Sequence, residues 1–227
     1  MTNTRVSLAR QSLKSPRAAA IAGILFAVLY GTSLVLMRIS VPADPAIDTS
    51  AWLEANLSII SLALNLMPFA GIAFLWFIGV TRDRQGDMED RLFATVILGS
   101  GLLFLAMVFV GSALVGGLLS TYSTAQNAVV ERDIFNYGRA VTFQLLNIYA
   151  LRMSGLFMIS LGTIWIRTGV MHRAWAFVTY VLALVLLVSI SYSIWVPLIF
   201  PVWVLAVSIN ILILNFRNRG QEALNKS

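Results

Sequence analysis

The chain has 227 residues, 59% of them apolar and 11% charged, with a mean hydropathy of +0.84, whereas roughly a quarter of a soluble domain is charged. Cysteine is absent and histidine occurs once, at His172, which removes disulfides, thiolate-held metal centres, thiol nucleophiles and an intrachain bis-histidine haem. The formal charge of +6 then matters through where the basic residues fall along a membrane chain.

A run of roughly 20 apolar residues at 1.5 Å each crosses a hydrocarbon core of about 30 Å. Six such runs, at 18–37, 57–80, 92–119, 140–166, 174–194 and 197–215, predict an all-α polytopic transmembrane bundle. Residues 1–17 and 216–227 read as basic tails on either side of this 18–215 domain. The first run follows Arg5, Arg10, Lys14 and Arg17, as a secretion signal would, and residues 41–43 resemble a cleavage site. Its length exceeds the usual 7 to 15 apolar residues, roughly, of a signal, so it reads as a retained span.

Arginine and lysine set the expected orientation. The first tail, the connection with Arg82, Arg84 and Arg91, the turn with Arg167 and Arg173, and the last tail with Arg217, Arg219 and Lys226 hold twelve of the sixteen basic residues. Arg38, Arg132 and Arg139 fall on the other side. Both termini are therefore expected in the cytoplasm, facing the anionic leaflet of the cell membrane. Trp52, Trp195 and Trp203 fall towards the outer boundary, and Trp76, Trp165 and Trp175 towards the inner one, as interfacial rings do.

The second span carries a polar seam of Glu54, Ser58, Ser61, Asn65 and Pro68, at spacings that keep them on one helix face. Pro68 frees a backbone carbonyl near the depth of Asn65. Glu54 would stand at the outer mouth of the seam and pair with Arg38, which ends the first span.

The loop after this span reads "GVTRDRQG" from Gly79 to Gly86. It resembles the G-x-x-x-D-R-x-G loop of the major facilitator superfamily, in the matching place between second and third spans. That resemblance implies twelve spans in two halves, against six here, and Asp87 and Met88 stand where the family has further basic residues. No residue role carries over. Asp87, Glu89 and Asp90 are interleaved with arginines, as in a solvated helix start. The third span is rich in small residues, with Thr95 and Gly99, and Ser112 and Gly116, each four apart, a spacing that permits close helix approach within one chain or between copies.

The fourth span holds Arg152. Counted from Ala140 it lies about 18 Å in, and from Ile166 about 21 Å, too deep to reach an interface by snorkelling. A charge at that depth costs about 2.5 to 3.5 kcal/mol on insertion scales, so the residue is expected to face the bundle interior. None of the six runs contains Asp or Glu. Its partners are then polar side chains, freed carbonyls, water, a headgroup or an anionic ligand. Gln144 lies about 80° from it around an ideal helix, Asn147 about 60° beyond that, and Tyr149 is three residues before it. An internal cavity between second and fourth spans is the expectation, lined by Arg152, Asn147, Gln144, Tyr149, Asn65, Ser61 and Ser58.

Pro197 and Pro201 open the sixth span, where the first turn tolerates them, and His172 reads as an interfacial residue. Intramembrane catalysis finds no support: no histidine or acidic pair lies within a span, and no G-x-S-x-G or H-E-x-x-H pattern occurs. No metal, cofactor or nucleic acid is expected. The sequence leaves three readings open: a small transporter or channel for an anionic or polar solute, a non-catalytic scaffold or regulatory subunit in which Arg152 meets a partner's carboxylate, and a lipid-headgroup-binding protein. Homo-oligomerisation is compatible with each.

Overall fold

The computed structural model describes residues 16–40, 49–83, 91–124, 128–169, 173–188 and 195–224, and among them every regular element is helical. The helices are α1 (Pro16–Ser40), α2 (Thr49–Asp83), α3 (Arg91–Thr124), α4 (Ala128–Gln144), α5 (Ala150–Thr168), α6 (Arg173–Val188) and α7 (Ile199–Leu224). A π-helical segment, Leu145–Tyr149, joins α4 to α5 without interruption, and a 3-10 turn, Val196–Leu198, leads into α7.

Five stretches are long and apolar enough to cross a membrane: Arg17–Ser40, Ala55–Thr81, Leu92–Ser120, Asn136–Thr168 and Val196–Asn215. They point to a membrane-embedded protein, because helices satisfy their backbone internally where no water is present. The expected run at 174–194 is met by α6, a shorter apolar helix of 16 residues ending at Val188; residues 189–194 lie outside the described ones. The helices also overrun the expected connections. α2 begins within 38–56, and α3 and α4 take up most of 120–139. Hydropathy marks where side chains are apolar, but helix hydrogen bonds continue through amphipathic sequence. In α4 one face packs on α3, with Gly138 against Leu118, while Tyr137 and Ile134 remain exposed.

Antiparallel neighbours build the bundle. The Ser33 hydroxyl of α1 donates to the Ala63 carbonyl of α2 at 3.0 Å. Gly111 of α3 faces Leu146, and near the opposite end of the same pair the Arg167 guanidinium stacks 4.8 Å from the Phe93 ring centre. Gly23 and Phe26 of α1 face Ser208 and Phe200 of α7, so Arg17 and Asn215 share one end of the bundle and Arg38 stands at the other. α6 packs against α5 at Gly155 and Gly162. A Cβ at Gly155 would come 3.0 Å from Leu187 Cγ and 3.1 Å from the Ala183 carbonyl oxygen, so a larger residue would make α6 give way. Gly169 ends α5 in the left-handed conformation, φ 64°, open to glycine without steric cost.

Aromatic rings fill the centre. Phe26, Phe74, Phe104, Phe157 and Phe200, one each from α1, α2, α3, α5 and α7, are all buried, and their neighbouring centroids lie 4.6 to 6.3 Å apart. Tyr30 and Trp203 extend the cluster to either side. Lipid tails are as apolar as these side chains, so close packing and ring geometry, at about 0.5 to 1.5 kcal/mol per pair, carry the association. Trp203 Nε1 donates to Thr179 at 2.9 Å, and Thr163 bonds Tyr180 at 2.8 Å, which ties α6 to α7 and to α5.

Candidate functional site at the Arg38 end

Arg38, two residues from the end of α1, reaches across to the fourth span. Its Nη2 donates to Asn147 Oδ1 at a long 3.4 Å, and Asn147 Nδ2 donates to the Phe143 carbonyl at 3.2 Å. The expected partner Glu54 has its side chain outside the described ones. Nothing in the periodicity of either span could have revealed the bond to Asn147, because the contact depends on how two helices separated by 109 residues are offset along the bundle axis.

The offset gives a second level from which to count the position of Arg152. From Arg17 to Arg38, α1 rises about 31 Å; from Asn147 to Arg167 the fourth span rises about 30 Å. A hydrocarbon slab of about 30 Å fits between these two levels. Counted from the Arg38 level, Arg152 lies about 7 Å along the span, whereas within the apolar stretch Asn136–Thr168 it stands at the middle. At the first of these positions the arginine stem can carry its charge to the interface.

Nor does Arg152 face an enclosed interior. It is half-buried, and its neighbours one turn to either side, Tyr149 and Leu156, are exposed at 53% and 37%. Among the described residues it makes no hydrogen bond or ion pair. The buried face of α5 is formed instead by Leu151, Ser154, Gly155, Phe157 and Met158.

The π segment explains how the polar residues come together. The Ala150 amide bonds the Leu145 carbonyl, an i to i+5 step that inserts one residue into the turn. Gln144, about 80° from Arg152 on an ideal helix, comes to within about 20° of it. Gln144, Tyr149 and Arg152 therefore share the exposed side of the span, while Asn147 turns towards α1. Interrupted helices of this kind recur where backbone geometry serves a site.

The seam on α2 is placed differently from the expectation. Ser58, Ser61, Asn65 and Pro68 are all exposed, and Ser58, Ser61 and Asn65 bond no residue of the fourth span. The buried face of α2 consists of Ile60, Ala63, Met67, Ala70 and Phe74. A helix face that is polar by sequence turns outward here because the apolar alternative packs against α1 and α3. Ser58, Ser61 and Asn65 thus line no enclosed space among the described residues, and further along the two spans Phe74 and Phe157 meet at 5.4 Å.

No family model, curated protein or solved structure matches this chain. The loop resemblance at Gly79 to Gly86 therefore stays confined to those residues, of which 84–86 lie outside the described ones. The site thus rests on its own geometry: one guanidinium bonded to an amide, and a second, about 7 Å further along that amide's helix, without a partner among the described residues.

Proposed function

We propose that this is an integral membrane protein that binds an anionic group at Arg152, with Arg38 and Asn147 beside it, and that the site opens at the boundary where Arg38 stands. The carrying observation is the half-buried Arg152 guanidinium with no partner among the described residues. A cation in that place lacks both full hydration and a carboxylate, so an anion is its natural complement. The excess of basic residues at the Arg17 end supports a cytoplasmic location for that end, in the cell membrane, and an outward-facing site.

Passage of a solute along the bundle axis is the more demanding reading. It requires the ring cluster of Phe26, Phe74, Phe104, Phe157 and Phe200 to part, whereas binding requires no rearrangement. The test is thermal unfolding of the purified protein in neutral detergent with and without an anionic amphiphile. The wild type is expected to gain stability with the anion, by the mass-action effect of a ligand that binds only the folded state. Arg152→Gln is expected to lose that gain, and an equal gain in both proteins overturns the reading.

A further inference from the structure

The surroundings of Arg152 name the kind of anion. We infer that the site holds the phosphodiester of a bilayer lipid, its acyl chains lying on the exposed side of the fourth span, an inference that rests on the anion-binding reading above.

Three observations converge on this. First, the guanidinium is reached from the side: Tyr149 and Leu156, which bracket Arg152, are exposed to the surroundings of the bundle. A ligand there touches the lipid-facing surface rather than a channel. Second, depth and chemistry agree. With the boundary at the Arg38 level, a lipid phosphate arrives already attached to apolar chains, whereas a free, fully hydrated anion would have to shed water to reach a half-buried guanidinium about 7 Å further along the span. Third, the donors fit. A phosphodiester offers two charged oxygens, which one guanidinium can bind through two parallel hydrogen bonds, and the Arg38 guanidinium, held by Asn147, stands one level above. Tyr149 adds an amphipathic ring of the kind that sits at headgroup level. Below Arg152 the exposed surface becomes apolar, at Leu156 and Ile166, which suits an acyl chain.

The experiment places the full chain in nanodiscs of equal phosphatidylglycerol and phosphatidylcholine and reads retained lipid by native mass spectrometry. A parallel arm measures thermal stability against inorganic phosphate in delipidated detergent. Wild type is expected to retain phosphatidylglycerol over phosphatidylcholine by about tenfold, equal to about 1.4 kcal/mol. Arg152→Gln is expected to fall to parity, Arg152→Lys to keep part of the preference, and inorganic phosphate to leave stability unchanged. If phosphate stabilises the wild type but not Arg152→Gln, and no lipid is preferred, the site takes a soluble anion; the lipid inference falls and the anion-binding reading stands. If neither probe is distinguished, both fall. A lipid preference identical in wild type and Arg152→Gln means the lipid is held elsewhere and also overturns the inference. Should Arg152→Gln fail to fold, Arg152→Lys and Arg38→Gln carry the same comparison.

Discussion

Arg152 shows how one charge constrains a bundle without being bonded to it. Because no described residue pairs with it, its removal costs the isolated protein nothing and relieves an unfavourable placement. Arg152→Leu is accordingly expected to unfold at the same temperature as wild type or higher in neutral detergent, while losing the anion-dependent gain. A large fall in stability would show a structural bond. Asn147 behaves in the opposite way. It accepts from Arg38 and donates to Phe143, so Asn147→Leu is expected to cost about 1 to 2 kcal/mol. A double-mutant cycle with Arg38→Gln should return a coupling near the low end of the range, about 0.5 kcal/mol, given the long 3.4 Å bond. Additivity within error would show that the pair is incidental.

At the scale of elements, the α4–π–α5 segment decides where the site residues point. Deleting one residue from Leu145–Tyr149 is expected to restore α-helical hydrogen bonding while leaving Gln144 and Arg152 about 20° apart, because seven α-helical steps then replace eight residues that include the inserted one. Because the chain has no cysteine, single cysteines at positions 144 and 152 can report this by their labelling pattern. Similar accessibility on one face is expected both in the parent and after the deletion, and divergence after the deletion would contradict the one-residue insertion. The α5–α6 contact is equally specific. Gly155→Val is expected to destabilise by about 1 to 3 kcal/mol, because its side chain meets the Ala183 carbonyl as well as the Leu187 side chain.

For the molecule as a whole, the sequence carried the helical class and the approximate position of most spans, since both follow from the length of apolar runs. It could not carry the rest, for a reason peculiar to membranes. Lipid and bundle core are both apolar, so hydropathy does not separate the buried face of α2, with Ile60 and Phe74, from the exposed Leu62 and Phe69. The seam of Ser58, Ser61 and Asn65 was therefore legible as one face, but not as the outward one. The pairing of Arg38 with Asn147 was not legible either, because inter-helix offset leaves no local trace. Arg152 itself was legible as a site, because a lone charge among apolar residues stands out in any register. The core of the bundle rests on its rings: Phe74 touches Phe26, Phe77, Phe104, Phe157 and Phe200. Phe74→Ala is expected to cost about 3 to 5 kcal/mol in a reversible unfolding measurement, and a cost below about 1 kcal/mol would show that the cluster is loosely packed.

The depth and exposure of Arg152 can be measured directly. Spin labels at single cysteines introduced at positions 147, 152 and 157 in lipid bilayers, with power saturation by oxygen and by a water-soluble nickel chelate, report distance from the boundary. The expected result puts position 152 about 7 Å inside the boundary, one step below position 147 and with measurable access to oxygen. A reading near mid-bilayer, about 15 Å from either boundary, or a label inaccessible to both relaxants, would contradict the placement of the site at the Arg38 end.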